Sequence, residues 1–379
     1  MIAGILLGPS LLGFVAPGAA SALFPEQSLP YLAALSQVGV VLFMFLMGLE
    51  VEPKLLRGRG RAAVMTSQAG ILVPFVTGAV LGLFLHSRLA PEGVDRTHFV
   101  LFMGTAMSIT AFPVLARILD ERGLARTGIG TMALASAAFN DVAGWTILTV
   151  VVLLTRAPEV GISVATTLLG LVTFALVLLL LVRPLLQRMV DIFVRRGALS
   201  NDLMALVLLL AFGSAVASEL VGVHALFGAF VLGVLVPRRS DFARALVAKM
   251  QDLVVVLLLP IFFALTGLRT RVGLLAGFEM WGYCALVLLI AIAGKFGGVS
   301  AAARFSGLSW REACALGALM NVRGLVELVI LGVGLEIGII SPSLFTMMVI
   351  MALVTTVIAT PLLEWIHPSP AAVLTSTDA

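Results

Sequence analysis

Residues 128–155 read GIGTMALASAAFNDVAGWTILTVVVLLT, a run whose only formal charge is Asp141, preceded by Asn140. The run is long enough to cross the hydrocarbon core of a bilayer, which takes about 20 apolar residues as a helix. A carboxylate in such a helix is costly, about 2.5–3.5 kcal/mol on insertion scales, so an intramembrane acid is read as functional by default. Runs of this kind recur along all 379 residues. The chain is 60% hydrophobic and only 12% charged, with a mean hydropathy of +1.14. A water-soluble domain of this size needs more charge than that to cover its surface. Continuous apolar runs, as opposed to ten-residue alternating ones, specify an all-α integral membrane protein and exclude a barrel.

Twelve spans are expected, at 1–17, 30–50, 62–85, 99–119, 128–155, 162–183, 202–219, 223–236, 250–268, 281–303, 312–335 and 343–363. They form one transmembrane domain over 1–366, followed by a short disordered tail at 367–379. The first run adjoins Met1 with no complete span before it, so the chain reads as N-terminally clipped and thirteen spans are expected in the intact protein. With both termini cytoplasmic, the outer side receives only Arg88, Arg96, Arg156, Arg269 and Arg271. Lys295 and Arg323 lie within spans, and the rest of the 24 basic residues fall on the inner side. That asymmetry obeys the positive-inside rule and fits a bacterial inner membrane.

The same count disposes of a nucleic-acid reading of the +4 net charge, because no basic stretch carries interleaved aromatics. No phosphate-binding loop is present, so no nucleotide site is expected. Cys284 and Cys314 lie in apolar spans without metal-ligand spacing and read as packing residues. His224, in VGVHALFG, reads as a packing histidine. No cofactor is expected.

Two spans carry breaks. MSITAFPVLARIL (107–119) places Pro113 after Ser108 and Thr110; proline removes a backbone donor and disfavours helix at Phe112, freeing carbonyls near Ile109 and Thr110. GALMNVRGLVELVI (317–330) is interrupted at Asn321, Arg323 and Gly324. They are the fourth and eleventh spans, seven steps apart, and an odd number of steps makes them run in opposite directions. Interrupted helices in corresponding places are the mark of inverted repeats, whose ion sites lie at the bilayer midplane. Ser108 and Thr110 offer hydroxyl and backbone oxygens, which small hard cations prefer. Arg323 and Glu327, four apart, read as a structural ion pair across one helical turn. Lys295, in AIAGKFGGVS, is flanked by glycines that permit close helix approach.

Taken together, GILLGPSLLG, FLMGLEVEP, SITAFPVLARIL, ALASAAFNDVAGW, LPIFFALTGLRT and NVRGLVELVI resemble, in order, the motifs of the monovalent cation:proton antiporter-2 family, particularly plant cation/proton exchangers and their bacterial relatives. The resemblance implies a fold of a dimerisation domain and a core domain with two crossing, discontinuous helices, and a homodimer. It implies that Asp141 of the Asn140–Asp141 pair binds the transported Na⁺ or K⁺ and the proton alternately, with Lys295 beside it. Secondary antiport of a monovalent cation against H⁺, electroneutral, is therefore the leading expectation. The alternative is a regulated K⁺ efflux system of the same fold. A remoter one is an intramembrane aspartyl protease, which needs two apposed acids sharing a proton where this chain offers one.

Overall fold

The computed structural model describes residues 2–50, 61–125, 127–159, 164–222, 224–237 and 241–366. Pro113, Asp141, Val142, Trp145 and a few other helix positions are described by backbone alone. In chain order the helices are α1 (Ile2–Leu7), α2 (Leu12–Val15), α3 (Pro17–Leu23), α4 (Leu29–Glu50), α5 (Arg61–Leu89), α6 (Arg96–Ser108), α7 (Phe112–Glu121), α8 (Gly128–Glu159), α9 (Val164–Val177), α10 (Arg183–Arg196), α11 (Asn201–Leu220), α12 (Ala225–Leu235), α13 (Phe242–Asp252), α14 (Leu259–Arg269), α15 (Phe278–Ile292), α16 (Gly298–Phe305), α17 (Trp310–Met320), α18 (Leu325–Glu336) and α19 (Pro342–Ile366). Single π-helical turns at Leu178–Val182, Leu253–Leu258 and Ala293–Gly297 join α9 to α10, α13 to α14 and α15 to α16.

Among the described residues seven helices are long and apolar enough to cross a membrane, or eight if the pair α17 and α18, bent by 45°, counts as one span. The expected twelve spans, or thirteen in an intact protein, are therefore not the architecture found. The reasons are physical, because hydropathy does not see where a backbone stops. Residues 1–17 break into the short helices α1 and α2 and the start of α3 around Pro9 and Pro17, and 223–236 yields only the 11-residue α12. Eleven residues rise about 16 Å, roughly half of a bilayer core. Residues 99–119 divide at Ile109–Ala111 into α6 and α7. Residues 128–155 are helical throughout as α8, with several side chains outside those described. Asp252 and Pro260 flank the second π turn within the single span Phe242–Leu274. The tail 367–379 lies outside the described residues.

The chain divides into two compact units, Met1–Val51 with Thr149–Arg269, and Glu52–Leu148 with Thr270–Ala379. In the first, α4 is central: every residue from Val40 to Leu49 is buried. Its close approach to α12 needs two glycines. A Cβ on Gly48 would strike Phe230 O, and one on Gly233 would strike Phe45 O. Small residues at such crossings let backbones meet, which is how membrane helices gain packing without a hydrophobic driving force. By contrast Leu180 and Leu181, on the span Leu169–Arg196, are two-thirds exposed and turned outward.

The second unit packs α7, α8, α16, α17 and α19 around Leu115, Leu119, Ala137, Val299, Leu316 and Leu363. At one end of it Arg122 pairs with Glu364, and Arg311 Nε donates to Ile366 O at 2.7 Å, fastening the ends of α7 and α17 to α19. At the start of α6, Asp95 accepts from the N–H groups of His98 (3.2 Å) and Thr97 (2.7 Å). These bonds hold its carboxyl below the usual range and fix where the helix begins.

Gly48→Ala is expected to lower the melting temperature of the detergent-solubilised protein, since over-packing a close crossing costs about 1–3 kcal/mol. Gly213→Ala, where a Cβ meets nothing within 4 Å, should leave it level or raise it. Equal responses would mean that the α4–α12 crossing does not limit stability.

Candidate functional site

Helix α6 ends at Ser108, and Ile109 (ψ 144°) and Ala111 (ψ 90°) are extended before α7 begins at Phe112. Pro113 sits in the first turn of α7, where a missing N–H costs nothing. The second break runs from Asn321 to Gly324, between α17 and α18. The two breaks touch: Ala111 N–H donates to Val322 O at 3.1 Å, and Thr110 Oγ1 donates to Met320 O at 3.3 Å. Gly324 is needed for this contact, because a Cβ there would lie 2.8 Å from Val114 Cγ2 and 3.0 Å from Ala111 Cβ.

A helix that stops inside a membrane presents its last carbonyls, and the negative end of its dipole, to a medium with no water. Two cations meet that end of α6. Arg323 donates from Nη1 to Ala106 O at 3.2 Å and from Nη2 to Met107 O at 2.9 Å. Lys295 donates from Nζ to Ser108 O and, at 2.6 Å, to Gly70 O of α5. Lys295 lies in the π turn between α15 and α16 and is wholly buried; π turns of this kind recur at functional sites. Arg323 also pairs with Glu327 at 2.9 Å, both buried, as the spacing of four indicates. Glu327 stands in the first turn of α18, where a negative charge meets the positive helix end. Thr356 of α19 fixes the backbone at this point: its Oγ1 accepts from Arg323 N–H at 3.1 Å and lies 2.6 Å from Arg323 O.

Asn140 is buried in α8, its carboxamide 3.3 Å from Thr110 Oγ1. In the orientation that satisfies its surroundings its amide donates to Ser67 O and Ser136 O, each at 3.1 Å, and its carbonyl oxygen faces the Thr110 hydroxyl. Asp141 is the next residue of α8; its side chain lies outside those described. Ser108, Thr110, Asn140, Lys295, Arg323, Gly324 and Glu327, singled out from the sequence, thus gather around the two breaks. His224 instead caps α12 in the other unit, its Nδ1 accepting from Leu226 N–H at 3.4 Å.

The sequence reading missed Gly70, Ser67, Ala106 and Met107, because they act through carbonyls that no side-chain pattern reveals. Thr356 carried a signal, a Thr-Thr pair in the apolar 343–363 run. Asn321 Oδ1, Arg323 Nε and Glu327 Oε2 are buried and make no hydrogen bond among the described residues. Among those residues, too, no group of three or more His, Cys, Asp or Glu could hold a metal ion.

A family profile described as the transmembrane part of sodium/hydrogen exchangers matches residues 1–367. The chain belongs to the sodium/hydrogen exchanger family. Its cation/proton antiporter-2 type is shared with plant and bacterial relatives. The Na⁺/H⁺ antiporter NhaS4 of Synechocystis is 43% identical over 372 residues, 98% of this chain and 90% of that protein. Cation/H⁺ antiporter 19 of Arabidopsis thaliana is 38% identical over 97% of this chain, and K⁺/H⁺ antiporter 1 of Saccharomyces cerevisiae 35% identical over 97%. The chain spans less than half of either of those proteins, 46% and 43%. The solved structure of the sodium proton antiporter MjNhaP1 of Methanocaldococcus jannaschii at pH 8 shares the fold, with a TM-score of 0.61 at 18% identity, covering 96% of this chain and 88% of that one. This exchanger is an integral membrane protein and a secondary-active monovalent cation/proton antiporter, which sets aside the protease alternative.

Replacing Arg323 alone with Met strands Glu327 and uncovers Ala106 O and Met107 O, with an expected loss of about 3–5 kcal/mol in a denaturation assay. Adding Glu327→Leu should restore part of that loss, because the buried charge is gone but the carbonyls remain uncovered. A double variant no more stable than Arg323→Met would show that the pair is not the dominant interaction.

Proposed function

We propose that Asp141 carries the exchanged ion, binding either a monovalent cation or a proton and never both. The arrangement around Asn140 supports this reading most directly. Asn140 adjoins Asp141 in α8 and reaches the Thr110 hydroxyl in the first break, so the acid's immediate neighbour is tied to the interrupted backbone. Thr110 and Ser108 supply oxygens for the cation, and Asn140 contributes an oxygen without titrating. Lys295 and Arg323 offset the dipole of α6 and the charge on Asp141. Competition of cation and proton for one carboxylate couples their movements without ATP.

Charge balance supports one-for-one exchange. An ionised Asp141 together with Glu327 would balance the formal charges of Lys295 and Arg323. Binding Na⁺, K⁺ or H⁺ adds the same single charge, so both loaded forms are electrically alike and the cycle moves no net charge.

The chain acts as a homodimer in a bacterial inner membrane, its exposed apolar face on Leu169–Arg196 offering area for a second copy. The basic end of that helix, with Arg188, Arg195 and Arg196, faces the cytoplasm, and both termini lie on that side by the positive-inside rule. Residues 1–366 act as one exchange domain. Na⁺ and K⁺ both remain within reach of an oxygen-lined site, and cavity size with ligand number sets the choice between them.

In everted vesicles, Na⁺ or K⁺ added after acidification should release protons with the native chain and not with Asp141→Asn. Undiminished release by the variant would remove Asp141 from the mechanism. The native rate should stay constant when the membrane potential is collapsed; a potential-dependent rate would show net charge moving.

A further inference from the structure

The second unit carries an apolar groove on its outer face that the exchange site does not use. Met65, Ala69 and Leu72 of α5 form one side of it, and Gly298, Ala301 and Ala302 of α16 the other, with an open cleft of about 650 Å³ between them. That size is within the usual range of small-molecule sites. Its lining is almost wholly apolar, with Gln68 the one side chain bearing an amide. Val73 closes one end against Gly298, where a Cβ would lie 2.8 Å from Val73 Cβ. The other end opens beside Phe305, which is 84% exposed.

Both walls belong to membrane-crossing helices, Val64–Leu89 and Phe278–Phe305, and the groove lies at the beginning of one and the end of the other. It therefore opens near a membrane–water boundary. Arg304, one helical turn from Ala301 and next to Phe305, donates from Nη1 to Leu308 O at 3.4 Å with its guanidinium 5.8 Å from the Trp310 ring centroid, and Trp310 is itself exposed. A basic residue and an aromatic at a helix end are the side chains that meet lipid headgroups. The chemistry runs in order along the groove, apolar within and cationic at the mouth, and matches one molecule of anionic phospholipid.

We propose that this groove binds an anionic phospholipid, one acyl chain between α5 and α16 and the phosphate at Arg304. The turn of α5 behind the groove connects it to the exchange site. Ser67 O and Gly70 O, on the buried side of that turn, accept from Asn140 and Lys295, while Gln68, Ala69 and Leu72 face the lipid. An acyl chain in the groove supports that turn from outside.

The full chain in nanodiscs of equimolar phosphatidylcholine and phosphatidylglycerol provides the test. Phosphatidylglycerol carrying a photoreactive acyl chain should crosslink to 64–73 and 298–305 in preference to other lipid-facing helices; even labelling of all exposed helices would overturn the proposal. After transfer to detergent, native mass spectrometry should find phosphatidylglycerol retained over phosphatidylcholine. Arg304→Gln, at an exposed position, should cut that preference about fivefold, the usual effect of one basic residue at an anionic surface. Ala302→Phe, which fills the groove, should remove retained lipid of both kinds. Retention unchanged in both variants would equally overturn it.

Discussion

The carbonyl end of α6 is the constraint around which the second unit is organised. Ala106, Met107 and Ser108 have no helix ahead of them to donate, and a bilayer supplies no water to replace it. An unpaired carbonyl there costs several times what it would at a soluble surface. Arg323 and Lys295 both converge on it, from different helices and different parts of the chain. Burying two cations requires anions in turn. Glu327 provides one in contact with Arg323. A second acid, Asp141, lies in α8. The polar residues of these helices are thus linked by one requirement that begins with a broken backbone.

Contact between the breaks depends on the absence of side chains as much as on their presence. Gly324 admits Val114 and Ala111, and Gly70 leaves room for Asn140, whose carboxamide would be 3.0 Å from a Cβ. The first unit uses the same device at Gly48 and Gly233. Close approach is therefore a general packing solution in this molecule. In the second unit it also brings the two broken helix ends together.

Much of the site was readable from the sequence because intramembrane polar residues are so expensive that each one carries information. Pro113 located the first break to within a few residues, and the spacing of Arg323 and Glu327 indicated their pair. Lys295 drew attention through its glycines, but its carbonyl partners and its π turn were invisible, since main-chain acceptors leave no trace in side-chain chemistry. The span count failed for a related reason. Hydropathy records whether a segment is apolar and not whether its helix continues, so 1–17 and 223–236 were read as crossings although their backbones stop short. The apolar groove was also beyond reading, because alanine and glycine at 298–302 look alike whether they pack tightly or leave a channel.

Asn140 sharpens what the charge balance implies. It occupies a position next to the proposed ion carrier, and its amide makes the same hydrogen bonds to Ser67 O and Ser136 O at any pH. A carboxylate in its place would have to be protonated to donate even one of those bonds, and ionised it would face two carbonyls with a like partial charge. The carbonyl-rich turn of α5 thus selects a donor here and disfavours a second acid. The neutrality of Asn140 follows from the main chain that surrounds it, and so does the limit of one titrating carboxylate at this point in α8. An exchange cycle built on that single carboxylate can hold one monovalent cargo at a time, which is the condition for swapping a cation for a proton without carrying both.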